Sequence, residues 1–245
     1  MKERPIIFSA QSVRAILDGR KTMTRRVVKL PEIISEPGDA DATSVGWLDH
    51  HESGPGWHGW MTEYPEEGSV PLRCPYGQPG ERLWVREKWG YFDPDGGSTD
   101  VEDRGPPAPF CDEMMQEGHP LRDYWRRRIA YAATWQMPRY GCGPDAPARW
   151  RSPIHMPRWA SRITLEIESV RVERLQDISE TDALAEGCPC YVCGAPLDGN
   201  SEANCHCFHR TATASDYRDL WEHINGAGSW EKNPFVWVIL FRRVG

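Results

Sequence analysis

The sequence has no long apolar run and no leader-like N-terminus. None of its apolar stretches approaches the length that a membrane-spanning helix needs, which is about 18 consecutive residues. Lys2, Glu3 and Arg4 lead into only a few apolar residues, so the N-terminus does not resemble a signal peptide. We therefore expect a cytoplasmic protein with no membrane partner. In that compartment its eight cysteines are expected to be reduced thiols or metal ligands rather than disulfides.

Net positive charge is also lacking. The formal net charge of −7 argues against a protein that binds nucleic acid over its whole surface. The charge is unevenly spread, however, because residues 1–29 carry eight bases and two acids, and residues 120–162 carry nine arginines and two aspartates. Residues 30–81 and 89–119 are correspondingly acidic. The two basic segments are therefore compatible with a local surface that binds nucleic acid or a nucleotide.

Regular periodicity is missing from residues 30–80 and 89–120, which are rich in proline, glycine and acidic side chains. These stretches are typical of long inserted loops. Between them lie about six strand-like segments and two or three short amphipathic helices, without βαβ alternation. The pattern predicts the α+β class, with one domain over residues 1–245 built on a small mixed β-barrel with peripheral helices.

Local signals indicate where several of these elements begin and end. Ser9 and Ser179 are candidate helix N-caps, and Gly19 and Gly187 suit helix C-termini. A later helix is predicted from apolar residues at helical spacing: Tyr217, Leu220, Trp221 and Ile224. The alternation in "RLWVREKW" places Glu87 on the same expected buried face as Leu83, Val85 and Trp89. The closing run "NPFVWVILFRRV" fits a central strand.

Residues 19–26, "GRKTMTRR", carry four positive charges in eight positions. Gly19, Lys21 and Arg26 in this segment match the G-x-K-x-x-x-x-R signature of ASCH domains. Further blocks, "GERLWVRE", "IHMPRWASRITLEIESVRVERLQDISETDALAEG" and "LWEHIN" to "FRRV", resemble ASCH proteins of phages and prophages in the same order. The resemblance implies a PUA-like fold, an association with RNA, DNA or modified nucleosides, and a bacterial host cell.

The same family includes amidohydrolases that act on N4-acetylcytidine. In them a lysine and a threonine three residues later work with a glutamate on a later strand, and Lys21, Thr24 and Glu87 match those positions. The resemblance thus implies that Lys21 activates the Thr24 hydroxyl and that Glu87 donates a proton to the leaving amine. Simpler interpretations remain open: Lys21 and Arg26 bind phosphate, Thr24 is an ordinary strand residue, and Glu87 pairs with a buried arginine.

Binding residues are expected around the same pocket. They are Gly19, Arg25 and Arg26 in the first basic segment, and Arg158 and Trp159 in "HMPRWASR", where an aromatic ring beside an arginine suits base stacking or a phosphate contact. Trp159 is equally typical of a core residue. The expected function is the binding of a nucleotide, a modified nucleoside or nucleic acid. Hydrolysis of an amide on the bound base is expected as an additional activity. Alternatives are a non-catalytic binding module, an ASCH-type ribonuclease and a phage morphogenesis protein.

A cysteine-rich insert covers residues 188–210. Cys190 and Cys193 are spaced as in a zinc knuckle, and Cys205, Cys207 and His209 follow after eleven intervening residues. The intervening residues are too polar to build a core, so metal binding is expected to supply the folding energy of the insert. Four protein ligands leave no open position on the metal, and the sequence therefore predicts a structural rather than a catalytic zinc ion.

Overall fold

The computed structural model of the chain describes residues 1–29, 47–50, 57–60, 70–91, 129–134, 149–188 and 213–244. In chain order its strands and helices are β1 (Glu3–Ile7), α1 (Ala10–Leu17), β2 (Met23–Val27), β3 (Trp47–His50), β4 (Trp57–Trp60), β5 (Val70–Leu72), β6 (Arg82–Arg86), β7 (Trp89–Tyr91), β8 (Ile129–Tyr131), β9 (Arg149–Arg151), β10 (Thr164–Arg174), α2 (Glu180–Ala185), α3 (Ala214–Asn225) and β11 (Phe235–Arg243). Short 3-10 turns lie at Pro153–His155, Arg158–Ala160 and Leu175–Asp177. The mixture of helices and strands confirms the predicted α+β class.

The chain divides into two compact units. The first comprises Met1–Leu17, Arg82–Leu165 and Arg243–Gly245, and the second comprises Asp18–Glu81 and Glu166–Arg242. Each unit has its own hydrophobic cluster and its own set of paired charges.

In the first unit, β1 pairs in parallel with β6. Strand β7 is the centre of a second sheet, with β8 and β9 antiparallel on either side of it. Helix α1 begins after Ser9, whose hydroxyl accepts a hydrogen bond from the Ser12 amide, as the capping signal predicted. The cluster beside the β7 sheet consists of buried Trp89, Ile129, Met156 and Ala160, with Tyr131 and Trp159 packed against them.

In the second unit, β11 lies between β10 and β2 and is antiparallel to β2. Its central position explains the continuous apolar run of residues 236–239, all of which are buried, and confirms the predicted central strand. Strands β3, β4 and β5 form a separate antiparallel sheet. Within the described ranges these sheets do not close into a barrel, so the predicted PUA-like barrel stays a prediction.

The two helices of the second unit begin at polar caps. The hydroxyl of Ser179 accepts a hydrogen bond from the Asp182 amide at the start of α2, and Gly187 follows the helix with φ of 69°. Helix α3 begins at a reciprocal capping box formed by Thr213 and Asp216. It buries Tyr217 and Trp221 as the helical pattern predicted, whereas Ile224, expected on the same face, is 57% exposed near the helix end. No helix in the described part of the chain is long and apolar enough to cross a membrane.

Candidate functional site

Lys21 binds the C-terminal end of α2. Its Nζ atom donates to the Glu186 carboxylate at 2.5 Å and to the Glu186 backbone carbonyl at 2.8 Å, while the Thr22 amide donates to the Ala185 carbonyl at 2.8 Å. Carbonyls in the last turn of a helix have no partner within the helix, and a cation there also complements the helix dipole. Both charged side chains are only 4% exposed. The lysine of the predicted signature therefore forms a buried ion pair that anchors α2 to the start of β2.

Arg25 extends this pair into a network. Its guanidinium, which is fully buried, contacts Asp182 at 2.6 Å, Glu173 at 3.2 Å and Glu186 at 3.5 Å. Arg171 also binds Asp182, at 2.8 Å, and Glu173. Burial opposes the charged form of Arg25, but the Glu186 carboxylate and the hydrogen bond to Asp182 outweigh it and raise its pKa.

The network is neutral as a whole, because Lys21, Arg25 and Arg171 are matched by Glu173, Asp182 and Glu186. Two of the bases expected to grip phosphate, Lys21 and Arg25, are thus compensated within the protein. The remaining candidates of the segment are placed differently. Thr24 is buried in β2 opposite Ile239, whereas Arg26 is half-buried opposite Trp237.

Two further titratable groups line the same cluster. Burial, reinforced by the negative charge of Glu186, raises the pKa of the Cys188 thiol to about 12. The same two causes hold the pKa of the Tyr217 hydroxyl well above its usual value. Tyr217 also lies beneath Arg25, with the guanidinium carbon 5.8 Å from the ring centre. At neutral pH the thiol and the phenol are both protonated.

Glu87 has a different partner, in the first unit. Its carboxylate accepts two hydrogen bonds from Arg162, from Nε at 2.9 Å and from Nη2 at 3.0 Å, and its backbone amide contacts the Met156 sulfur at 3.3 Å. Glu87 is 1% exposed on the face that the strand alternation predicted. The bidentate geometry corresponds to the simpler interpretation of Glu87 as the partner of an arginine. Sequence reasoning did not single out Arg162, although it is the arginine in the "WASRI" block.

Arg162 lies over an aromatic ring. Its guanidinium carbon is 4.0 Å from the ring centre of Tyr131, and its Nη1 atom donates to the Thr134 hydroxyl at 3.0 Å. The Tyr131 hydroxyl donates to the Ala160 carbonyl at 2.8 Å, which fixes the ring. The Arg162 side chain remains 26% exposed. We call Glu87, Arg162, Tyr131 and Thr134 the arginine platform.

Trp89 lies beside this platform at the centre of its sheet. Its cross-strand neighbours are Tyr131 on β8 and Arg151 on β9, and the Arg151 guanidinium lies 5.5 Å from its ring centre. Trp159, expected to stack on a base, meets Trp89 edge to face at 6.1 Å and belongs to the first unit's cluster. Arg158 is exposed and bound to Glu3 at 2.7 Å, and this hydrogen bond lowers the pKa of Glu3.

In the second unit, Lys21 and Arg25 both contact the Glu186 carboxylate, whereas Thr24 lies on the other face of β2 by strand alternation. Glu87, Arg158 and Trp159 belong to the first unit. The carboxylate beside Lys21 is Glu186, which sequence reasoning missed. The predicted zinc ligands Cys190, Cys193, Cys205, Cys207 and His209 lie outside the described residues. Among the described residues there is no group of three or more His, Cys, Asp or Glu placed to hold a metal ion.

Comparison of the chain with protein-family models, with curated proteins and with solved structures found no match. The function proposed below is therefore argued from the quoted motifs and from the contacts of the two clusters.

Proposed function

We propose that this chain is an ASCH-type, PUA-like protein that binds a nucleotide, a modified nucleoside or a nucleic-acid strand in the cytoplasm of a bacterial host. The order of the motif blocks supports the family. Support for binding comes from the arginine platform, where a guanidinium lies 4.0 Å above the ring of Tyr131 and keeps 26% of its side chain exposed. Flat, partly exposed guanidinium groups are used by proteins to stack unpaired bases.

The neighbouring residues favour the same class of ligand. The partly buried Trp159 meets the buried Trp89 edge to face, and the Arg151 guanidinium lies 5.5 Å from the Trp89 ring centre, next to Tyr131 of the platform in the sheet. Sequence-tolerant binding of single-stranded nucleic acid relies on this combination of aromatic side chains and arginines. The buried network around Lys21 and Arg25 carries no net charge, so it contributes much less attraction for an anion than its sequence suggests.

Amide hydrolysis is a second candidate, because Lys21 and Thr24 are both buried in the second unit and Lys21 touches a buried carboxylate. In this candidate Lys21 first passes a proton to the Glu186 carboxylate and becomes a neutral amine. The Thr24 oxygen then attacks the amide carbonyl while its proton passes to that amine, and Lys21 gives the proton to the leaving amine. Water then releases the acid from Thr24. The contact of Lys21 with Glu186 at 2.5 Å supports Glu186 as a further carboxylate of this candidate, beside the predicted Glu87.

The cysteine-rich insert is proposed to bind one structural zinc ion through Cys190, Cys193 and two of Cys205, Cys207 and His209. Cys188 is left out of this ligand set because its side chain is buried in the hydrophobic cluster of the second unit. The elements that flank the insert are anchored without metal: α2 through Lys21, and α3 through its capping box and buried Trp221.

Calorimetric titration of the full chain with nucleosides, nucleotides and short single-stranded oligonucleotides tests the proposal. The expected result is saturable binding of at least one of them. Release of cytidine and acetate from N4-acetylcytidine would support amide hydrolysis as an additional activity. If no ligand from the panel binds, the proposed function is wrong. If ligands bind without turnover, the non-catalytic alternative is supported.

A further inference from the structure

The guanidinium of Arg162 is held on its edges and on one face. Nε and Nη2 donate to Glu87, Nη1 donates to Thr134, and one face lies 4.0 Å from the centre of the Tyr131 ring. An arginine side chain is otherwise free to rotate about several bonds, and each of these contacts removes part of that freedom. The plane of the guanidinium is therefore fixed before any ligand arrives.

The contacts also determine which chemistry is left to a ligand. A phosphate is best bound by arginine through two parallel N–H donors, and the Nε and Nη2 edge that would supply them is occupied by Glu87. The negative charge of Glu87 lies beside the positive charge of Arg162 and offsets it. An approaching phosphate would gain little from this pair.

The face of the guanidinium turned away from Tyr131 is not used by any of these contacts, and the side chain is 26% exposed. We propose that this face stacks an uncharged nucleobase, that the platform recognises the base rather than its phosphate, and that Glu87 is a positioning residue that keeps the guanidinium flat. The inference rests on the proposed function, which it deepens by naming the part of the ligand that is recognised.

A ligand series tests the chemistry. Wild-type protein is titrated with cytidine, N4-acetylcytidine, adenosine and cytidine 5′-monophosphate at two salt concentrations. Stacking predicts that cytidine and its monophosphate bind within about threefold of each other, with little dependence on salt, because no phosphate contact releases counterions. A single-stranded tetranucleotide, added as a further arm, shows whether the base is taken from free nucleosides or from a strand.

Matched variants test the residue. Arg162→Lys keeps the positive charge but loses the plane, and is expected to weaken nucleoside binding by about tenfold or more. Arg242→Lys is the control, since Arg242 is an exposed arginine bound to Glu166 at 2.7 Å and lies in the second unit. Tyr131→Leu removes the ring beneath the guanidinium while leaving its bond to Glu87, and should also weaken binding.

The possible results are separable. If the wild type binds no nucleoside and no nucleotide, the proposed function and this inference both fall. If it binds, but the monophosphate is strongly preferred with steep salt dependence, the proposed function stands and base stacking on Arg162 is wrong. Wild-type affinity in Arg162→Lys and Tyr131→Leu, with thermal unfolding of each variant showing a folded chain, would overturn the inference in the same way.

Discussion

The ammonium of Lys21 contacts both the carboxylate and the backbone carbonyl of Glu186, at 2.5 and 2.8 Å, although the two residues are 165 positions apart in the chain. The contact gives the lysine of the G-x-K signature a structural task, the anchoring of α2. Because Lys21 anchors α2, its contribution to folding and its contribution to function need separate measurements.

Removal of one member of the pair should be costly. Lys21→Met leaves the Glu186 carboxylate buried without its lysine, and we expect the free energy of unfolding to fall by about 3–5 kcal/mol. The double variant Lys21→Met, Glu186→Met should recover much of this loss, because no uncompensated charge remains from the pair. Urea denaturation measures both. The control is Asp18→Asn, which breaks the exposed pair with Arg20 and should cost less than about 1 kcal/mol. Equal costs at the two sites would contradict the anchoring role.

The Cys188 thiol should resist alkylation in the folded protein. With a pKa of about 12, only on the order of one thiol in ten thousand is ionised at pH 8, and the side chain is fully buried. Iodoacetamide labelling followed by peptide mass spectrometry should show slow modification of Cys188 relative to half-buried Cys74, and rapid modification in urea. Equal labelling of the two cysteines without denaturant would contradict both the burial of the Cys188 thiol and its raised pKa.

The raised pKa values of the Cys188 thiol and the Tyr217 hydroxyl should make the free energy of unfolding fall at alkaline pH. In the unfolded chain the thiol and the phenol ionise near their ordinary pKa values, whereas in the folded chain Cys188 ionises only near pH 12 and Tyr217 well above pH 10. Their protonated forms therefore contribute stability that is fully present below about pH 8.5 and is lost as the pH rises toward the folded values. Urea unfolding between pH 8 and 11 should show this decline. Cys188→Ala should decline less steeply, and identical slopes would remove Cys188 as a cause.

If the chain hydrolyses an amide, the Thr24 hydroxyl should be essential and replaceable only by another hydroxyl. Thr24→Val retains the shape of the buried side chain and should lower turnover of N4-acetylcytidine by about a thousandfold or more. Thr24→Ser keeps the oxygen and should retain measurable turnover. An active Thr24→Val variant would exclude Thr24 as the nucleophile, and nucleoside affinity measured in the same variant separates lost chemistry from lost binding.

Metal removal should affect the cysteine-rich insert and spare the described core. Protein purified without added metal is expected to contain about one zinc ion per chain. Chelation should then increase cleavage within residues 188–210 by added protease. The circular dichroism signal of the helices should persist, because Lys21 anchors α2 and α3 packs Tyr217 and Trp221 into the cluster of the second unit. Zinc far below one equivalent would refute the metal site, and global unfolding on chelation would refute its peripheral role.

Much of the local structure could be predicted because its causes are local. The hydroxyls of Ser9 and Ser179 cap the helices that follow them, and Gly187 has the positive φ that suits a helix end. The alternation around Leu83 correctly placed Glu87 on a buried face, and the apolar run of β11 correctly indicated a central strand. At Ile224 the helical pattern continues to a residue that is exposed near the helix end, so the predicted buried face is longer than the observed one.

The partners of the charged residues were decided by tertiary structure. Sequence identified Lys21 and Glu87 as buried or functional, but the pairing of Lys21 with Glu186 and of Glu87 with Arg162 joins residues 165 and 75 positions apart. Periodicity and capping signals act over a few residues and carry no information about which distant segments meet. Burial then enforces the choice, since a buried carboxylate or ammonium is stable only with an opposite charge or hydrogen-bond partner beside it. The sequence by itself therefore determined the local elements and the inward face of Glu87. The tertiary structure decided that Lys21 and Arg25 are buried, which charges neutralise one another, and that Arg162 lies over the Tyr131 ring.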